Sequence, residues 1–224
     1  MTDANHGEWM DEALGHFSAL MADPENSDAH FNFAIWLQRA EQWDAAAQSF
    51  VRALWIDPQR DSARIGLGAC LLKMNRFEEA LATFNQAASA PGPAWFGKAV
   101  GLQLLHRFEE AEAAYEVFLA SEPNSEETLA NLIAMNAQAR DLEHVREYAQ
   151  KLLSLAPQST PALQGLAMVA LERRDNHAAA RYCDRIVQLA PDCLEAWHNL
   201  RIALDGILSA FTSPTPEASI PEGR

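Results

Sequence analysis

The stretch Arg76-Phe77-Glu78-Glu79-Ala80 returns as Arg107-Phe108-Glu109-Glu110-Ala111. Paired glutamates beside an aromatic residue suit either acid/base chemistry or the corner of a repeated structural unit. The flanking residues decide between the two. The small residue that ends the corner recurs as Ala46, Ala80, Ala111, Val145 and Ala179, at steps of 34, 31, 34 and 34. Three positions earlier stand Trp43, Phe77, Phe108, Leu142 and Asn176, and four positions later Phe50, Phe84, Tyr115, Ala149 and Cys183. Proline closes each unit at Pro58, Pro91, Pro123, Pro157 and Pro191. A fixed period in this range marks an array of small units that stack to share a core.

Within a unit the apolar residues keep helical spacing, as in Phe77/Ala80/Leu81/Phe84/Ala87, and a second such run precedes them, as in Leu67/Leu71/Leu72. Each unit therefore reads as two amphipathic helices. Lys73-Met74-Asn75-Arg76 and Arg140-Asp141 form the turn inside a unit, while DPQRDS, EPNSEE and APQSTP separate one unit from the next. Pro93 and Pro161 fall in the first turn of a leading helix, where the missing amide has no cost.

This pattern resembles the tetratricopeptide repeat family over most of the chain. The second unit carries it as Leu67-Gly68, Leu71, Phe77, Ala80, Phe84 and Ala87; the third as Trp95, Ala99, Leu102, Phe108, Ala111, Tyr115 and Pro123. The resemblance implies an all-α fold, a right-handed superhelical solenoid of stacked antiparallel helix pairs with about 12 helices. The expected organisation is a covering helix over 1–26, five helix pairs over 27–193 (27–60, 61–91, 92–125, 126–159 and 160–193), a capping helix over 194–212 and a disordered tail over 213–224. On this reading Glu78/Glu79 and Glu109/Glu110 open the trailing helices, where carboxylates favour the positive end of the helix dipole and face water. They carry no catalysis.

The ends depart from the interior units. Trp9, Ala13, Phe17 and Leu20/Met21 form one apolar stripe that ends at Asp23-Pro24, as a trailing helix without its leader would. After the fifth unit, Leu194-Glu195-Ala196-Trp197 opens a leading helix whose stripe continues through Leu200, Leu204, Ile207/Leu208 and Phe211 without a trailing partner. Arg201 stands there where interior units have Gly68 or Ala99, which suits an outermost helix with a polar face. The step of 31 shortens the second unit's trailing helix or the loop after it, around SAPGPAW. Lys98 occupies a position that usually holds a leucine facing the partner helix, so its ammonium must either reach water or meet a glutamate.

Composition bounds the function. Of 224 residues, 49% are hydrophobic, enough for a core, and the net charge of -14 repels phosphate backbones and anionic lipid headgroups, so nucleic acid is excluded as an expected partner. Three cysteines, Cys70, Cys183 and Cys193, form no CxxC pair and suggest neither a disulfide framework nor a zinc site. No segment has the run of about 18 apolar residues that a membrane span needs, and the amino terminus lacks a leader's basic and apolar regions. A cytoplasmic location is expected. The seven histidines show no HExxH arrangement, and Gly66-Leu67-Gly68 has too few glycines for a phosphate loop. No catalytic residue, metal or cofactor is assigned.

The resemblance places partner binding on the concave side lined by leading helices. Counted from each unit's start, the expected partner-binding residues are Phe31, Ile35 and Arg39 in the first unit, Ile65, Ala69, Leu72 and Lys73 in the second, and Phe96, Val100 and Gln103 in the third. Ala134 and Gln138 follow in the fourth unit and Met168 in the fifth. Some family members hold a terminal carboxylate with lysine and asparagine at the fifth and ninth positions. In the first three units those positions are Phe31, Ile35, Ile65, Ala69, Phe96 and Val100, so the expected ligand is a protein or peptide with apolar anchors, such as an amphipathic helix. Three or four anchors at about 1.5–3 kcal/mol each, less the cost of association and of ordering the ligand, predict micromolar or weaker affinity. Arg39 and Lys73 could meet an acidic residue of the partner. The resemblance thus implies a non-enzymatic adaptor or scaffold; the alternatives are an assembly factor or chaperone that shields an apolar client segment, and an accessory subunit of an enzyme complex.

Overall fold

The computed structural model describes residues 3–87 and 91–212. The expectations for the Trp9 side chain, for residues 88–90 and for the tail 213–224 lie outside what it describes. Among the described residues every regular element is an α-helix, and there are twelve. They divide into two compact units, residues 1–123 and 124–224.

The first unit holds α1 (Asp3–Ala22), α2 (Ser27–Arg39), α3 (Trp43–Ile56), α4 (Asp61–Lys73), α5 (Phe77–Phe84), α6 (Pro91–Leu104) and α7 (Phe108–Ser121). Consecutive helices pack as the hairpins α2/α3, α4/α5 and α6/α7. Phe50 of α3 is fully buried in a core with Ala34, Leu37, Ala46, Ala53, Ala63 and Cys70. Phe84, the last residue of α5, packs with Leu71 and Ala80. The second unit holds α8 (Glu126–Ala139), α9 (Leu142–Leu155), α10 (Thr160–Glu172), α11 (Asn176–Leu189) and α12 (Leu194–Thr212). Its cores gather Leu163, Ile186, Val187 and Ala196 on one side, and Ala170, Ala178, Ala179 and Ala203 on the other.

The helix ends follow from local chemistry. Asn26, Ser125, Asp141, Ser159 and Asp175 each accept a hydrogen bond from the backbone N–H three residues on, which satisfies one of the donors that a helix start leaves open. Before α5 and α7 no side chain caps the helix. Instead Arg76 forks onto Glu79 through two hydrogen bonds of 2.7 Å, and Arg107 does the same to Glu110. The RFEEA glutamates are exposed, and the forks hold the Glu79 and Glu110 carboxyls below their ordinary range. The motif is thus a helix start that recurs with the repeat.

Each hairpin turns through a left-handed residue: Glu41, Asn75, His106, Arg140 and Arg174, with φ between 56° and 60°. They keep the repeat's own steps. At each turn the next amide reaches back to the carbonyl five residues earlier, as Gln42 does to Leu37 and Asp175 to Ala170, closing a Schellman-type helix end without glycine.

The shortening of the second unit falls on α5, which has 8 residues against 14 in α3, and Asn85 follows it as a turn before α6 opens at Pro91. Lys98 is half-buried: its ammonium lies over the Trp95 ring, 4.4 Å from the centroid, and its charge also acts on the Glu110 carboxylate. On α1 the inward face is shifted from the expected stripe. Ala13, His16 and Leu20 are half-buried, with the His16 ring 6.2 Å from Phe33 and 6.4 Å from Trp36, while Phe17 and Met21 are exposed. The cause is geometric, because residues seven apart share a face and His16 competes successfully with Phe17 for the aromatic surface of α2.

Candidate partner-binding groove

The leading helices of the second unit, α8, α10 and α12, line a groove of about 410 Å³. Small residues shape it. Ala130, Ala134 and Ala137 come from α8, and Gly165 and Ala167 from α10, where longer side chains would fill the space. Gly165 is required by close approach: a Cβ there would stand 2.9 Å from Ile133 Cγ2. Ile133, Ile186 and Ala196 form buried parts of the wall, while Met168 and Leu171 are half-buried and leave apolar surface accessible. Polar groups sit at the margin: Gln164, Glu172, Glu195 and Asn199. Glu172 accepts from Arg140 at 3.0 Å, and both side chains are largely in water. An apolar cleft of this volume with a few convergent polar groups is the usual form of a binding site.

Of the residues expected from sequence, Ala134 and Met168 lie in this groove. Gln138 is exposed at the end of α8, one turn beyond Ala134. Within the first unit the expected residues are engaged in several ways. Phe31 meets the Phe50 ring edge-on at 5.7 Å and carries the Arg60 guanidinium 4.3 Å above its other surface. Phe96 packs on Tyr115 and Phe118, with centroids 6.0 Å and 5.3 Å apart. Gln103 accepts the buried Tyr115 hydroxyl at 2.8 Å. Ile65 and Leu72 pack against the Phe84 cluster. Ile35 is exposed, and Ala69 and Val100 are half-buried. The two cations already have neighbours: Arg39 donates to Glu12 at 3.0 Å, and the Lys73 ammonium stands 5.8 Å from the Trp43 ring centroid.

Two features lay outside the sequence-derived set. Glu195 and Asn199 reach the groove from α12, since the count of groove positions stopped at the fifth unit; extending it by one unit would have found Glu195. A second depression, of about 530 Å³, lies between α3, α4 and α5 of the first unit and is lined by Ala47, Val51, Leu67, Leu71, Arg76 and Ala82 among others. The exposed valine at position 51 was its one sequence signal. The buried thiols of Cys70 and Cys183 are pushed up by desolvation, which keeps them protonated and inert. Among the described residues no cluster of histidine, cysteine and carboxylate side chains could hold a metal. No described helix is long and apolar enough to cross a membrane.

This architecture defines a class. The tetratricopeptide repeat family model matches residues 37–97, and the packed helix pairs have the fold of tetratricopeptide repeat proteins. Solved structures share its fold at low identity. PilW, a type IV pilus biogenesis factor, superposes with a TM-score of 0.74 at 24% identity, covering 90% of this chain and 93% of its own. The pilF protein of Pseudomonas aeruginosa gives 0.73 at 20% identity, over 87% and 90%. YrrB, described as a TPR protein with an unusual peptide-binding site, gives 0.68 at 18% identity, over 83% and 97%. No curated protein sequence matches the chain.

Proposed function

We propose that this protein is a non-enzymatic adaptor that holds an apolar peptide or helix of a partner protein against its leading helices, with the groove of the second unit as the principal site. The carrying observation is the small-residue groove between α8, α10 and α12, where Ala134 and Met168 stand at accessible positions. Alanine and glycine let a ligand backbone come close, and Met168 and Leu171 adapt to an anchoring side chain. The polar margin of Gln164 and Asn199 suits the amides of an extended or helical segment, and Glu172 and Glu195 favour a neighbouring cation. Tetratricopeptide repeat proteins mediate protein–protein interactions as a class and are generally not enzymes. YrrB has an unusual peptide-binding site and PilW is a pilus biogenesis factor, and an assembly-factor role for this chain is the second reading that these likenesses favour. Ile35 and the partly exposed faces of Ala69 and Val100 extend the candidate surface in the first unit, whereas Phe31 and Phe96 serve it by bracing their hairpins.

A displayed peptide library selected on the full-length protein tests this reading. Enriched peptides should share an apolar anchor, bind with micromolar affinity and lose at least about 10-fold on Ala134→Trp, which fills the groove with an aromatic ring. Peptides that bind the Ala134→Trp and Met168→Glu variants as well as the wild type, with helicity intact, would remove the groove from the mechanism.

A further inference from the structure

The last helix keeps an apolar ridge uncovered whose central position every other leading helix buries. The residues equivalent to Leu204 in the preceding repeats are Leu37, Leu71, Leu102, Asn136 and Ala170, at the repeat's own steps, and none is more than 7% exposed. Leu204 is 46% exposed. Trp197 is 48% exposed, whereas its equivalents Leu129 and Leu163 are fully buried. The cause is visible in the backbone. Residue 208 is the counterpart of the left-handed turn residues at 41, 75, 106, 140 and 174, yet α12 continues through it as helix to Thr212. The backbone makes no turn at residue 208, and the straight extension adds Leu208 and Phe211, at 62% and 79% exposure, to the same ridge. The opposite side of α12 is occupied: Ala196 and Ala203 pack into the unit's cores, and Asn199 and Glu195 face the groove.

An antiparallel amphipathic helix would cover this ridge. The ridge is itself such a helix face, and it is symmetric about Leu204. Trp197 and Phe211 lie seven residues to either side, both exposed. An isologous two-fold contact demands a patch that complements itself in this way. We propose that the protein forms a homodimer through α12, each copy covering the other's exposed ridge. In the antiparallel pair Leu204 meets Leu204 of the partner subunit at the two-fold axis, and Trp197 meets Phe211 of the partner subunit. Arg201 and Asp205, which flank the ridge, fall within reach of each other across the axis, so the charges also match. The ridge leaves on the order of 500 Å² of apolar surface per copy, the size of a functional patch on a monomer and, with its polar flank, close to the lower bound for a stable interface. A micromolar dimer follows.

Sedimentation equilibrium of the full chain tests the proposal. The wild type should pass from monomer to dimer over micromolar concentrations. Leu204→Glu, which opposes two carboxylates at the axis, should weaken dimerisation by about 100-fold or more with the helical signal and melting temperature retained, since Leu204 is already half in water. In a Cys193→Ser background, Leu204→Cys should cross-link to a covalent dimer under mild oxidation, while Ser209→Cys, on the other side of the helix, should not. A wild type that stays monomeric at about 0.5 mM, a dimer unmoved by Leu204→Glu, or equal cross-linking at positions 204 and 209 would overturn it.

Discussion

Arg174 illustrates how single residues set the hairpin. Its φ of 58° lies in a region that a side chain occupies at a cost of about 1 kcal/mol, and its backbone donates to Leu171 at 3.0 Å in the helix-ending turn. Glycine removes that cost, so Arg174→Gly should stabilise the protein by about 0.5–1 kcal/mol, read as a shift of the urea midpoint at constant slope. Asp141 acts at a helix start. The His144 backbone N–H donates to it at 3.2 Å and is the main reason that its carboxyl titrates below the ordinary range. A folded value below the unfolded one gives stability that is present above the unfolded value and is lost as pH falls through the folded one. Asparagine caps equally well without titrating. Asp141→Asn should therefore cost a few tenths of a kcal/mol near pH 7, where the carboxylate also favours the helix dipole, and this deficit should close in thermal melts as the pH is taken below the ordinary carboxylate range.

At the scale of elements, α5 is the informative helix. It is short, and Phe84 at its end anchors it between two neighbours. A Cβ on Gly68 of α4 would stand 2.5 Å from the Phe84 ring, and one on Gly97 of α6 would also fall inside it. Both glycines are thus set by the same aromatic ring, and they let α4 and α6 close on it. Gly97→Ala should destabilise by about 1–3 kcal/mol in urea unfolding, and adding Phe84→Leu to that variant should recover part of the loss, because the smaller side chain leaves room for the methyl. Non-interaction of the two changes would place the cost of Gly97→Ala elsewhere. Among leading helices, α8, α10 and α12 differ from α2 and α6 in one respect that matters for binding. The first group lines its open side with alanine and glycine, whereas Phe31 and Phe96 spend their rings on Phe50, Tyr115 and Phe118.

At the scale of the whole molecule, the periodicity, the helical character of both halves of each unit and the family resemblance were legible in the sequence. A 34-residue step and an i, i+3, i+4 pattern are properties of the chain itself, fixed by backbone geometry before any neighbour is chosen. The surface role of the RFEEA glutamates was legible for the same reason, since charge at a helix start is a local matter. Which way each apolar side chain turns was not. Spacing assigns a residue to a face of its helix, but whether a neighbour covers that face depends on residues 30 or so positions away. Sequence therefore set Phe31 and Phe96 beside Ala134 and Met168 as one set, and packing divided them into braces and groove lining. The left-handed turns were hidden because no glycine marks them. The uncovered side of α12 was decided by a turn that the backbone does not make at residue 208, and only the tertiary structure, where each helix borrows burial from the next, exposes what that omission leaves in water.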